Sequence, residues 1–125
     1  MECYKVIFRS ESRLESYSMM NWACLYYKPG QVTNVPAWLQ EMGYYPLVFA
    51  ELWDAQTFIM RWARGDENSH VEIWLCEAED EITPLPPMLM IGPLDSRDSH
   101  IGRSGLTWPP GTMMFKEVTL IRRVM

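Results

Sequence analysis

The sequence predicts an α+β fold, with a single mostly antiparallel or mixed β-sheet and one main helix packed on one face of it. Three observations lead to this prediction. Segments that alternate between apolar and polar residues recur along the chain, as in half-buried strands. One segment, about 51–64, carries apolar residues at helical spacing. Proline and glycine residues separate these segments. Strands combined with one strong helix are typical of this class, and 125 residues suit a single domain over 1–125.

The first quarter of the chain is predicted to be extended. Residues 3–9, CYKVIFR, alternate and predict a half-buried strand. Residues 16–27 form a second extended segment that is rich in aromatic residues. KPGQ at 28–31 fits a type II turn, because Gly30 can adopt a positive φ. The two predicted faces of the first strand are Tyr4, Val6 and Phe8 on one side and Lys5 and Arg9 on the other.

The middle of the chain is predicted to be helical in two places. Residues 36–43, PAWLQEMG, suit one or two helical turns between a proline and a glycine. Residues 46–49 are a short buried strand. The main helix, about 51–64, has acids near its start, arginines near its end and Gly65 as its stop, and both charge placements suit the helix dipole. Its apolar stripe consists of Leu52, Ala55, Ile59 and Trp62.

The second half of the chain is predicted to hold the centre of the sheet. Residues 70–79 carry bulky side chains on both faces, which indicates a central strand. Residues 82–93 are interrupted by prolines, so they cannot form a central strand throughout. Residues 94–105 are polar and contain glycine, which predicts a long exposed loop. Residues 113–124 are predicted to close the sheet.

Two groups of carboxylates lie on the predicted strands. If Val118 and Leu120 point inward, Glu117 lies on the opposite face and is by default an ordinary strand acid. The acids within 77–81 either form a solvated strand end or raise one another's pKa for acid catalysis, and a solvated end is the commoner case.

Composition argues against several classes of function. The formal charge is −5 and the pI is about 5.0, so nonspecific binding of nucleic acid is not expected. Three cysteines without a C-x-x-C pair indicate a reducing compartment and a cytoplasmic location. No signal-peptide core and no apolar run of about 20 residues is present, so we expect no association with membranes.

The predicted loop at 94–105 is the candidate binding segment. Arg97, His100 and Arg103 could contact an anionic partner there. The GRSG stretch at 102–105 lacks the frame of a phosphate-binding loop. We therefore expect a small anionic ligand or a protein partner, without a cofactor.

Other motifs carry less weight. His70 and Glu72 share a strand face, but no cysteine ligands of a zinc deaminase accompany them, so no metal site is expected. The cysteines lie in apolar strands and are expected to pack as small hydrophobic residues. The P-x-x-P spacing at 84–87 is read as a stiff connector.

The aromatic residues are numerous for a core of this size. They either line a groove or interface, which would include a homo-oligomer formed through exposed aromatics, or they lie half-buried around the sheet edges. The sequence leaves both options open. The residues concerned are Trp22, Tyr26, Tyr27, Trp38, Tyr44, Tyr45, Trp53, Trp62, Trp74 and Trp108.

Several short segments together resemble a small family of uncharacterised proteins from bacteria and their phages. The resemblance implies a compact domain and no particular activity. One departure is Ala50, where that family has a capping Asp or Thr. The matching segments are Tyr4–Arg9, Tyr27–Gly30, Leu47–Phe49 with Asp54 and Ala55, Val71–Trp74, and Pro109–Thr112 with Glu117 and Val118.

A second set of residues is similar to ADP-ribosyltransferases. Arg9, a Ser-x-Ser at 16–18 and an E-x-E at 79–81 occur in that family's order. The resemblance implies that Arg9 and Ser16 would hold NAD and that Glu81 would stabilise the transition state. The chain departs from the family in its length and in lacking a helix between Arg9 and Ser16.

The sequence favours a non-catalytic binding or accessory protein. The alternative is an NAD-using enzyme that resembles the ADP-ribosyltransferases. A deep pocket in which Arg9 meets a carboxylate would favour the enzyme, whereas a shallow aromatic patch would favour the binding protein.

Overall fold

The fold is built around a sheet that closes on itself. A computed structural model describes residues 1–10, 13–16, 26–62, 70–86, 89–91, 101–103 and 108–125. Within these ranges the elements are β1 (Glu2–Ser10), β2 (Arg13–Ser16), β3 (Tyr26–Tyr27), β4 (Val32–Thr33), α1 (Ala37–Glu41), β5 (Leu47–Phe49), α2 (Leu52–Trp62), β6 (Val71–Glu81), β7 (Leu89–Ile91), β8 (Ile101–Arg103) and β9 (Thr112–Arg123).

Four strands close the ring. β6 pairs with β1 along one edge and with β9 along the other. β5 pairs with both β9 and β1 on their remaining edges, which completes the order β1–β6–β9–β5–β1. β2 and β3 extend the sheet beyond β1, and β4 pairs with β9. Every strand pairing among the described residues is antiparallel, so the predicted sheet type is confirmed. The strand predicted to be central, at 70–79, corresponds to β6, which is paired on both of its edges.

The interior of this ring holds the larger apolar cluster. Alternate residues of β1, β6 and β9 point into it, including Cys3, Cys76, Val118 and Leu120, all of which are fully buried. α1 adds Leu39 to the same cluster. Val118 and Leu120 thus meet the condition under which Glu117 lies on the opposite face of β9.

The outer face of β1 carries the main helix. α2 packs through Ala55 against Val6, Phe49 and Ile73, which form a second apolar cluster. The predicted helix and its packing on one sheet face are therefore confirmed over Leu52–Trp62. Since both faces of β1 are covered over much of its length, the expectation of a half-buried strand is wrong. Lys5 is buried, although it lies on the face predicted to be polar.

The described strands form two separate sheets, so the prediction of a single sheet is wrong. β7 and β8 pair with each other in a separate two-stranded ribbon. Residues 101–103 therefore form a strand within the segment predicted to be a loop. The ribbon satisfies backbone hydrogen bonds that a structureless loop of this length would leave to water.

Local turn chemistry agrees with the predictions. Gly30 has a φ of 80° in the turn at 28–31, where Gln31 N donates a hydrogen bond of 3.1 Å to Lys28 O. Gly43 has a φ of 91° just beyond α1. Both positions favour glycine, because a Cβ is disfavoured at such angles. The register of β6 with β9 shifts between Leu75 and Cys76, and this bulge leaves the exposed Ile121 without a register partner on β6.

Candidate functional site

Charged side chains converge where β1, β6 and β9 lie side by side. Lys5 pairs with Trp74, Ile7 with Glu72, and Trp74 with Arg123. Residues opposite each other in an antiparallel sheet share a face, so these side chains lie on the inward face of the ring. We call the residues Lys5, Arg9, Glu72, Trp74 and Arg123 the Glu72 cluster.

Glu72 is the buried centre of the cluster, with a side chain only 5% exposed. Arg9 Nε donates a hydrogen bond of 2.5 Å to its Oε2, and Arg9 Nη2 donates one of 3.0 Å to its Oε1. Trp74 Nε1 donates a third, of 3.0 Å, to Oε1. Arg123 Nη1 lies 3.4 Å from Oε2 as a second cationic partner. Each carboxylate oxygen is thus held by two groups.

These contacts stabilise the charged forms of Glu72 and Arg9. The hydrogen bonds from Arg9 lower the pKa of Glu72 below its ordinary value, against the opposing effect of burial. Trp74 and Arg123 lower that pKa further. The hydrogen bond with Glu72 in turn raises the pKa of Arg9. The cluster therefore holds a carboxylate and two guanidinium cations at neutral pH.

The two arginine side chains are accessible to solvent, whereas the Glu72 carboxylate is buried. The side chain of Arg9 is 41% exposed and that of Arg123 is 54% exposed. A guanidinium has five N–H groups, and Arg9 directs two of its N–H groups at Glu72. The remaining N–H groups can serve a further acceptor. Two cations against one anion leave this site positive in a chain with a net charge of −5.

Lys5 adds a buried cation to the same face. Its Nζ donates a hydrogen bond of 2.6 Å to Leu47 O and lies 5.7 Å from the centroid of the Tyr27 ring. A buried ammonium is stabilised by such a carbonyl and by an aromatic face. Lys5 extends the positive character of the cluster into the ring.

The structure tests only part of the predicted loop site. Arg97 and His100 lie outside the described residues. Arg103 is the last residue of β8, where it pairs with Leu89, and its side chain is not among those described. The loop candidates therefore stay a prediction.

The residues that resemble an ADP-ribosyltransferase site do not all meet. Arg9 is bound to Glu72. Ser16 lies opposite Ile7 in the pairing of β1 with β2, close to Arg9 along the sheet. Glu81 is exposed at the other end of β6 and pairs with Phe115. At about 3.3 Å per residue, the nine positions from Glu72 to Glu81 span roughly 30 Å, so Glu81 lies far from Arg9.

The other motifs have structural roles where they are described. Glu72 binds Arg9 instead of joining His70 at a metal, and no group of three or more potential metal ligands occurs among the described residues. Cys3 and Cys76 are buried, while Cys24 lies outside the described residues. In the proline-rich stretch, Pro86 O accepts a hydrogen bond of 2.7 Å from Trp108 Nε1.

The strand acids lie on the outer face of the sheet. Glu117 is exposed and lies opposite Glu79, which is also exposed. Glu117 is therefore a solvent-facing acid, as predicted. The acids of the 77–81 segment are likewise exposed at the end of β6.

The aromatic residues divide between core and surface. Tyr27, Tyr44 and Trp74 are buried, and Trp38, Tyr45 and Trp108 pack partly buried against the same cluster. Trp53 is 72% exposed on α2, where Met60, two turns later, is 82% exposed. Tyr26 is also exposed. Trp22 and the side chain of Trp62 lie outside the described residues.

Comparisons with known proteins give no family. No protein-family model matches the sequence, and the searches of curated proteins and of solved structures return no match. Both resemblances drawn from short motifs therefore stay predictions. Among the described residues, no helix is long and apolar enough to cross a membrane.

Proposed function

We propose that this protein is a non-catalytic binding protein that takes up a small oxyanion at Arg9 and Arg123. One observation carries the proposal: a single buried carboxylate, Glu72, holds two partly exposed guanidinium groups. A purely structural ion pair needs one cation for one anion, so the second arginine leaves positive charge available to a ligand.

The ligand class follows from the donors. A guanidinium presents N–H groups in a plane and matches carboxylate or phosphate oxygens. Glu72 binds Arg9 through Nε and Nη2, which fixes the direction of the remaining N–H groups before a ligand arrives. Such positioning lowers the entropy cost of binding. Glu72 is thus a positioning residue, and the arginines are the groups that would contact the anion.

Thermal unfolding with added anion tests the proposal. Inorganic phosphate and citrate are titrated at constant ionic strength, because nonspecific screening also shifts stability. A site-bound anion raises the melting temperature in a saturable way. We expect saturation for the unaltered protein and at least a tenfold weaker apparent affinity for Arg123→Gln.

Arg122→Gln is the matched control. Arg122 is the neighbouring arginine, is exposed, and pairs with Leu75 on the other face of β9. The same charge is removed, so a general electrostatic effect would weaken both variants equally. Equal weakening, or no saturable shift with either anion, would contradict the proposal.

We propose self-association through α2 as a second candidate, because Trp53 and Met60 are strongly exposed on one helix face. Large apolar side chains at such exposure often mark an interface. Analytical ultracentrifugation compares the protein with Trp53→Glu. We expect a dimer that the substitution dissociates, and a concentration-independent monomer in both cases would rule this candidate out.

A further inference from the structure

Two cysteines face each other inside the ring, next to Lys5 and Trp74 of the Glu72 cluster. Cys3 of β1 and Cys76 of β6 are direct partners in the strand register. Both are fully buried. Cys3 Sγ lies 3.9 Å from Cys76 O, and Cys76 Sγ lies 3.4 Å from Trp74 O. Since opposite residues in antiparallel strands share a face, the two thiols lie side by side.

The strand spacing allows a bond between them. Met1 and Ala78 exchange both backbone hydrogen bonds, each of 2.9 Å. Cys3 and Cys76 lie two positions further along, so they too form a hydrogen-bonded pair, with Cα atoms about 5.5 Å apart. A disulfide tolerates Cα separations of about 4.4–6.8 Å. The two Cβ atoms of a disulfide lie within about 4.5 Å of each other. The Cβ atoms of opposite residues in paired strands lie up to about 5.5 Å apart, so the strands must approach by at most about 1 Å.

The position of Cys3 supplies the route for an oxidant. Cys3 is the second residue of β1, and the first partner on the other edge of the strand is Phe49, opposite Tyr4. Opening of a strand end needs much less free energy than global unfolding. The hydrogen bond with Cys3 and burial raise the pKa of the Cys76 thiol. Cys3 is therefore the cysteine that reacts first.

We propose that Cys3 and Cys76 form a reversible disulfide that joins β1 to β6, with oxidised glutathione as the oxidant. The Cys3 thiolate attacks one sulfur of oxidised glutathione, which releases one glutathione thiolate and leaves a mixed disulfide. The Cys76 thiol loses its proton to solvent, and its sulfur then attacks the Cys3 sulfur and releases the second glutathione. Two protein thiols are oxidised and one glutathione disulfide is reduced.

Mapping of disulfide-linked peptides tests the proposal on the native chain. The folded protein is incubated with oxidised glutathione, remaining thiols are blocked with N-ethylmaleimide, and a non-reducing digest is analysed by mass spectrometry. We expect a Cys3–Cys76 linked peptide in most molecules, lost on treatment with dithiothreitol. Cys24→Ser should give the same linkage, and Cys76→Ser should stop at glutathione attached to Cys3.

The unfolded chain provides the control for the oxidant. In guanidinium chloride, all three cysteines should react with oxidised glutathione. If they do and the folded protein still shows no Cys3–Cys76 peptide, the proposal is wrong. A folded protein that links Cys24 as often as Cys76 to Cys3 would also overturn it. The result with the unaltered chain decides the matter even if a variant fails to fold.

Discussion

Gly111 lies in the turn before β9. Among the described glycines, it is the one at which we expect substitution to lower the free energy of unfolding most. Gly111 has a φ of 82°, and its carbonyl accepts a hydrogen bond of 2.9 Å from Ala50 N, just before α2. A Cβ added to Gly111 would overlap the carboxyl group of Asp54 and lie 2.7 Å from Asp54 Cβ. Gly111→Ala therefore strains the backbone and displaces the first turn of the helix.

Three effects set the size of the expected loss. A residue with a Cβ in the left-handed region costs about 1–2 kcal/mol. Overpacking of a well-filled site costs about 1–3 kcal/mol. Alanine restricts the unfolded chain, which returns about 0.4–1 kcal/mol. We expect Gly111→Ala to lower the free energy of unfolding by about 1–5 kcal/mol, the balance of these three values.

Urea unfolding followed by circular dichroism measures this loss, and Gly30→Ala is its matched control. Gly30 has a φ of 80°, but a Cβ built there meets no atom within 4 Å. Gly30→Ala therefore reports the backbone effect alone, about 1.5 kcal/mol or less. Adding Asp54→Ala to Gly111→Ala should recover part of the difference. A loss at Gly111 no larger than that at Gly30 would refute this reasoning.

Three further predictions concern charge, backbone and surface. The pKa of Glu72 is lowered by Arg9 in the folded protein, so its stabilising effect is complete above the unfolded-state pKa of about 4.3 and is lost as the pH falls through the lower folded value. Urea midpoints measured from pH 7 to pH 3 should therefore fall less steeply for Glu72→Gln than for the unaltered protein, and equal slopes would contradict this. Asp80 has a φ of 63° within β6, so Asp80→Val should lower the free energy of unfolding by about 1–2 kcal/mol, while Asp80→Gly should not. A loss at least as large for Asp80→Gly in the same urea assay would count against strain at this position. At a concentration at which the protein is monomeric, Trp53→Gln and Met60→Gln should each change the free energy of unfolding by no more than about 0.5 kcal/mol, because both side chains are exposed in the single chain. A loss above about 1 kcal/mol for the monomer would show that these side chains pack within the chain itself, which would contradict this prediction.

Alternation and turn chemistry predicted most elements but not how the sheet closes. The pattern in 3–9 correctly divided the faces of β1, yet it could not show that the polar face would be covered, because this depends on pairing with distant strands. Lys5 is buried for that reason. Periodicity did predict α2, since an amphipathic helix depends on local spacing.

The Glu72 cluster was predicted only in part. Arg9 was a candidate through its resemblance to another family, whereas Glu72 was weighed only as a metal ligand beside His70. A usable signal was present, because two predicted strands each carried a charged residue of opposite sign on one face, Arg9 on the first and Glu72 on the second. Selecting Glu72 as the partner of Arg9 still required the register of β1 with β6, which a single sequence does not define. Arg123 was missed because the bulge near Cys76 shifts the alternation of β9.

The position of β6 between the first and the last strand determines when the ring can form. Met1 contacts Ala78 across a separation of 77 residues, so β1 and β6 cannot pair over their full length until that much chain has been made. At about 5–20 residues per second, synthesis needs roughly 4–15 s to supply it. The ring also needs β9, which is made later still. Folding of this sheet is therefore dominated by non-local contacts, and we expect it to be slow for a chain of this length.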